Sequence, residues 1–358
     1  MEEVKKKQRI AYFDALRVVS AVAVIAIHVT ALKWETLDVG SSAWNVASFL
    51  NATMRFAVPV FVMISGALLL DLEKEFSMRR FYRKNIARIL IAFAVWSAIY
   101  LVYSWLAKGW RPGSFWGVVS LFIEGHYHMW FLYMLLGLYL ITPILRMIVR
   151  RRKMMMYFLV LGIVFSFILP GIGQLAGVVA NVHNSAMAVG IKNVINSALG
   201  SMRFNFASGF VVYYVLGYYL RTTYFSRMKR VVIYLLGVMG LLMTILLTHN
   251  TSIALGTNTG FFNESTPWIL ALSVSVFMLF KYHGDRIGNW RVVRALAATS
   301  FGIYLIHAMV LDLIMRIDYI QTSELNVVAY LVIIAAIFAI SFVAIWIMQK
   351  IPLVRKIV

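Results

Sequence analysis

The sequence predicts an all-α polytopic membrane protein with about ten transmembrane helices and both termini in the cytoplasm. Three observations predict it. Hydrophobic residues make up 62% of the 358 residues and charged residues 13%, with a mean hydropathy of +0.82, whereas soluble domains run near half apolar and a quarter charged. Apolar stretches of spanning length recur along the whole chain. The 34 Lys and Arg, against 14 Asp and Glu, leave a net charge of +20, and they sort by connection instead of forming one patch. Composition therefore excludes a soluble enzyme and a disordered chain. With no cysteine, disulfides, zinc–thiolate sites and thiol catalysis are excluded as well.

The spans are expected at residues 10–32, 45–70, 86–107, 129–149, 154–176, 205–221, 231–248, 267–281, 295–316 and 327–349. Each approaches the roughly 20 apolar residues that a bilayer core requires. The first reads as a span, not a cleaved leader: its apolar stretch is long, it carries Arg17 and His28, and no small-residue cleavage site follows. No linker or repeat interrupts the pattern, so residues 1–358 read as one integral-membrane domain with short cytoplasmic tails, 1–9 and 350–358. With the N-terminus in the cytoplasm, 26 of the 34 basic residues fall on cytoplasmic segments and six on the opposite side; Arg17 and Arg55 remain inside spans. This is the positive-inside pattern, and it requires an even number of spans. The expected partner of the charge is the lipid bilayer, not nucleic acid. The opposite connections 108–128, 177–204 and 249–266 read as solvated loops that could also admit a polar substrate.

Ionisable groups inside a bilayer are costly and often mark function. The first span carries Asp14, Arg17 and His28. Eleven helical steps bring His28 to within about 20° of the Arg17 face, about 16 Å deeper, and Asp14 sits one turn before Arg17. Taken singly, Arg17 reads as a snorkelling anchor and His28 as a packing residue; together on one stripe they read as a site. The second span holds Asn51 and Arg55, followed by Pro59 and Ser65-Gly66-Ala67. Arg55 needs an acceptor, from substrate or from a structural pair, and the small residues read as a close helix approach. Glu124, His126, His128 and Trp130 lie at the outer end of the fourth span; on a helix Glu124 and His128 would share a face, and in an extended segment all three ionisable residues would. They read as a platform for an acceptor rather than a metal site, with Trp130 either stacking on a sugar or belonging to the aromatic belt. Tyr304 and His307 lie one turn apart in the ninth span. Arg79, Arg80, Arg83, Lys84 and Arg88 gather before the third span, as lipid anchors or as a site for a phosphorylated cytosolic ligand.

Together these residues resemble the bacterial membrane acyltransferase-3 family, whose members O-acylate cell-surface glycans. The basic residue, ten residues and histidine of its first-span signature fit Arg17 and His28. Val58-Pro59-Val60-Phe61-Val62-Met63-Ile64-Ser65-Gly66, His128-Met129-Trp130-Phe131-Leu132 and Phe301-Gly302-Ile303-Tyr304-Leu305-Ile306-His307 fit as well. The resemblance runs from about residue 9 to about residue 349. Within the family, the chain is most similar to members that O-acetylate a surface glycan antigen. One departure stands out. Many members have Arg-x-x-Arg before the third span, whereas this chain reads Asn85-Ile86-Ala87-Arg88, keeping only the second arginine.

The resemblance implies a bacterial inner-membrane O-acyltransferase. It would move an acyl group from cytoplasmic acyl-CoA, acetyl-CoA in the first instance, to a hydroxyl of a cell-surface glycan or lipid-linked sugar, with no metal. It implies His28 and Arg17 as catalytic residues and Asp14, Arg17, Arg83, Lys84 and Arg88 as the donor site. Asn51, Arg55, Glu124, His128, Trp130, Tyr304 and His307 would face the acceptor. His28 would act as general base or as acyl carrier. A homo-oligomer is compatible with this reading. The rival is a transporter or flippase for a polysaccharide precursor or an amino acid, which ten spans with buried charges also fit.

Overall fold

A computed structural model of the chain describes residues 9–109, 113–202, 209–257, 259–317, 320, 325–352 and 354–356. The tail up to residue 8, the start of the sixth expected span at 205–208, and residues 353, 357 and 358 of the C-terminal tail lie outside the described residues. The protein is an all-α polytopic membrane protein. Nine helical segments among the described residues are long and apolar enough to cross a membrane, and they coincide with nine of the expected spans. The sixth expected span corresponds to a 13-residue helix, Phe210–Thr222.

The helices of ten residues or more are α1 (Ala11–Trp34), α2 (Ser42–Met54), α3 (Ala57–Leu69), α4 (Ala87–Lys108), α5 (Phe115–Glu124), α6 (Trp130–Arg150), α7 (Arg152–Ile163), α8 (Leu169–His183), α9 (Ala186–Met202), α10 (Phe210–Thr222), α11 (Arg227–Leu255), α12 (Pro267–His283), α13 (Arg291–Ile314) and α14 (Val327–Met348). Ser41, Ser114, Thr266 and Asn326 begin α2, α5, α12 and α14 by accepting from backbone N–H groups of the first turn, which supplies partners that a helix start otherwise lacks.

Three expectations change. The second span is not one helix. It breaks between Met54 and Ala57, two to four residues ahead of Pro59; proline has no N–H for a preceding turn and is best accommodated in the first turn of a new helix, where Pro59 sits. The connections 108–128 and 177–204 are not plain loops. The first holds α5, a short apolar helix with Phe115 and Trp116 about three-quarters exposed, a composition suited to the membrane interface. The second holds the end of α8 and all of α9. The third span begins earlier, with Met78–Phe81 and a π-helical turn at Tyr82–Ile86 running into α4.

The expected close approach of small residues is found. A Cβ on Gly66 of α3 would stand 1.8 Å from the Tyr214 carbonyl oxygen of α10, and one on Gly217 would stand 2.0 Å from the Met63 carbonyl oxygen. The two backbones touch through both glycines. Val212, Tyr213 and Tyr214 of α10 are fully buried there, so α10 runs through the interior of the bundle.

Most of the described basic residues gather at one end, and that end is tied together by ion pairs and caps. Asp71, in the turn after α3, accepts from Arg221 of α10 at 2.9 Å and pairs with Lys74 at 3.2 Å. Arg146 of α6 donates to the carbonyls of Leu69, Asp71 and Lys74. Lys281 of α12 donates to the carbonyls of Leu220 and Thr223, each at 2.6 Å. Arg9 donates to the Gly288 carbonyl. These bonds satisfy carbonyls left open at helix C-termini, where positive charge is also favoured by the helix dipole.

Candidate active site

At the basic end a cavity of about 250 Å³ opens between α1, α3, α4, α6 and α13. Its polar lining is Arg17, Ser65, Asn85, Arg88, Tyr139, Ser300 and Tyr304; Phe61, Ile89, Phe131, Leu135 and Phe301 supply the apolar wall. Arg17 is held in place by Asp14, whose Oδ1 accepts from its Nη1 at 3.0 Å. Asp14 also pairs with Arg9. It is buried and stands behind Arg17, outside the cavity lining. Arg88 lies over the Phe301 ring at 5.2 Å. Asn85 and Arg88 line the same wall, so the register in which many relatives carry two arginines does face the cavity. Arg83 and Lys84 do not reach it. They are exposed and line a separate shallow depression with Ser77, Arg79 and Arg80.

The inner end of the cavity is aromatic. Phe131 and Tyr304 face each other with ring centroids 5.3 Å apart, and Phe61 packs on Phe131 at 6.3 Å. Behind them stand four of the chain's seven histidines. His307 of α13 is 5.2 Å from His28 of α1 and 5.2 Å from His128, by ring centroids. His128 and His126 face each other through their Nδ1 atoms at 2.9 Å. The Tyr304 hydroxyl donates to the His128 carbonyl at 2.5 Å, and His307 Nδ1 lies 2.5 Å from the Tyr304 carbonyl oxygen. Tyr100 stacks on His126 at 4.2 Å and donates to the Leu305 carbonyl at 2.8 Å. His128 and His307 are fully buried, and their Nε2 atoms have no hydrogen-bond partner among the described residues. No group of three or more His, Asp or Glu among the described residues is arranged to hold a metal ion.

The segment that presents His126 and His128 lies between α5 and the short 3-10 turn Tyr127–Met129. α5 ends at Glu124, and Gly125 has φ +69°, a conformation open to glycine. Glu124 and His128 therefore share no helical face. Glu124 is exposed and accepts from Ser120 on its own helix. Trp130 is 42% exposed and packs on Phe210, away from the imidazoles. Asn51 and Arg55 find structural partners. Asn51 Nδ2 donates to the Ile27 carbonyl at 3.2 Å and to Thr30 Oγ1 at 2.8 Å. Arg55 Nε donates to Asn51 Oδ1 at 2.7 Å, and its guanidinium covers the Phe262 ring at 4.6 Å. Ile27 and Thr30 flank His28 on α1, so this chain of bonds fixes the turn that carries the histidine.

Of the residues singled out in the sequence, Arg17, Arg88 and Tyr304 line the cavity, and His28, His128 and His307 meet behind Tyr304. Ser65, Asn85, Tyr139, Tyr100 and His126 also belong to these two groups. Only Ser65, Asn85 and His126 had a signal, lying inside motifs already quoted.

A family model described as an acyltransferase domain matches residues 10–346. The chain belongs to the acyltransferase-3 family. Neither a curated protein nor a solved structure matches it. Membership makes the protein a membrane acyltransferase. The two groups of side chains agree with such chemistry: guanidiniums at a mouth suit an anionic donor, and buried imidazoles suit acyl transfer.

Proposed function

We propose that the protein moves an acyl group from acyl-CoA, bound at the basic end, to a hydroxyl of a glycan or lipid-linked sugar at the opposite end. The observation that carries this reading is the cavity itself. It starts at Arg17 and Arg88 and ends at Tyr304, whose backbone and hydroxyl hold His307 and His128.

At about 250 Å³ the cavity is smaller than sites that enclose drug-sized ligands. It fits the thin acyl-pantetheine arm, while the charged nucleotide stays outside. The depression of Arg79, Arg80, Arg83 and Lys84 lies on the same basic stretch and would attract the nucleotide phosphates. Arg17 would hold the donor near the entrance. His28 would act at the acyl carbon. On this reading the basic end faces the cytoplasm of a bacterial inner membrane. The resemblance of the first-span and later motifs to members that O-acetylate a surface glycan makes acetyl and a surface glycan the first pair to test.

The test is release of free thiol from acetyl-CoA by the purified protein in phospholipid vesicles, with mass spectrometry of envelope glycans from cells with and without the gene. His28→Ala is expected to abolish both signals in a folded protein, and Arg17→Ala to raise the donor KM. Full activity of His28→Ala, or solute uptake without thiol release, would overturn the reading.

A further inference from the structure

His307 holds a ring nitrogen that nothing among the described residues uses. Its Nδ1 lies 2.5 Å from the Tyr304 carbonyl oxygen. A carbonyl only accepts, so Nδ1 carries the proton and Nε2 of the neutral ring carries the lone pair. That Nε2 is buried without a hydrogen-bond partner among the described residues, an arrangement that costs stability. His128 is different. Its Nδ1 faces His126 Nδ1 at 2.9 Å, and either nitrogen of that pair can be the donor, so its tautomer is free to exchange. The tautomer of His307 is fixed with the lone pair outward, as a general base requires. Its ring stands 5.2 Å from His28, close enough for both imidazoles to meet one acyl carbon and its attacking oxygen.

We propose that His307 is a catalytic base, its Nε2 taking the proton of the acceptor hydroxyl while His28 carries the acyl group. The proposal rests on the acyl-CoA reading above. In the first step the lone-pair nitrogen of His28 attacks the thioester carbon. The C–N bond forms, the C–S bond breaks with its pair on sulfur, and the proton of the other His28 nitrogen passes through solvent to the thiolate. In the second step the acceptor oxygen attacks the acyl-imidazole. The C–O bond forms, the C–N bond breaks with its pair returning to His28, and the hydroxyl proton goes to His307 Nε2. That proton then moves to His28, restoring two neutral rings.

His307→Asn tests this. Its side-chain amide can still donate to the Tyr304 carbonyl, but it has no atom in the place of Nε2. Wild type, His307→Asn and His28→Asn are reconstituted into phospholipid vesicles and mixed rapidly with radiolabelled acetyl-CoA, then with envelope glycans extracted from the producing cell. His307→Asn should release one thiol per enzyme at the wild-type rate and keep the label on the protein, with turnover at least about 100-fold lower. His28→Asn should take up no label. Turnover of His307→Asn within threefold of wild type overturns the proposal. So does loss of its labelling together with turnover in a protein that elutes like wild type, because the role would then be structural. Wild type itself provides a check that needs no variant: discharge of the label should slow about twofold or more in heavy water, and the absence of that effect also overturns the proposal. If wild type neither releases thiol nor takes up label, the donor reading itself has failed, a result distinct from all the others.

Discussion

Gly66→Ala is expected to destabilise the protein by about 2–3 kcal/mol, at the upper end of what overpacking costs. The added methyl would stand 1.8 Å from the Tyr214 carbonyl oxygen. Non-bonded carbon and oxygen need about 3.3 Å, so α3 and α10 must part by about 1.5 Å. Neither helix can yield locally. The obstacle is backbone, the reciprocal contact at Gly217 is as tight, and Val212, Tyr213 and Tyr214 are buried on every side. A gap of that width forfeits much of the attraction along the whole seam. The reciprocal geometry adds a second expectation. Once Gly66→Ala has forced the helices apart, Gly217→Ala should cost less in the double variant than alone, giving a coupling of about 1 kcal/mol or more. Thermal unfolding in detergent, for both single variants and the double variant, measures this. Gly66→Ala within about 0.5 kcal/mol of wild type, or strict additivity of the two changes, would refute the close-contact reasoning.

Two further outcomes concern the basic end. Asp71 is buried, which alone would raise its pKa, but Arg221 and Lys74 outweigh burial and hold it below the usual carboxylate value; Arg146 also donates to its backbone carbonyl. A carboxylate depressed on folding stabilises fully above the unfolded value, about 3.9, and its contribution is lost as pH falls through the lower folded value. Asp71→Asn should therefore melt lower than wild type at neutral pH, and the gap should narrow as pH falls below about 4; a gap independent of pH counts against the pairing. Asn85→Arg should add a second guanidinium to the cavity wall beside Arg88. The donor KM is expected to fall several-fold at low salt and less at high salt, as read from acetyl-CoA titrations, and an unchanged KM would separate this wall from the donor.

Nine of the ten expected spans were legible, because hydropathy is a property of consecutive residues. So was the α1 stripe: eleven residues of helix set Arg17 at the cavity and His28 among the imidazoles without help from the rest of the fold. Arg55 was not legible. Its acceptor, Asn51, lies one turn earlier on α2, but that bond gains its purpose from α1, where Asn51 meets Ile27 and Thr30. His126 was visible only as a third ionisable group beside Glu124 and His128; its place in the cluster depends on Gly125 ending α5 and on Tyr100 arriving from α4. Helices α5 and α9 were read as loops since their polar neighbours diluted a pattern too short to span. Arg83 and Lys84 were grouped with Arg88 by sequence distance, yet the turn at Tyr82–Ile86 has π-helical geometry, and only Asn85 and Arg88 face the cavity.

The pairing of Phe131 with Tyr304 bears on the electrical properties of the membrane. Moving one elementary charge through a membrane potential of 100 mV releases about 2.3 kcal/mol, so a continuous column of water through such a molecule would drain the voltage that a cell maintains. The two aromatic rings narrow the inner end of the cavity, and in the proposed reaction the acyl-pantetheine arm would pass them to reach the imidazoles. Such a constriction would limit the passage of water and ions while admitting a thin arm. A small side chain at Phe131 is expected to widen it and to raise proton leak across the membrane.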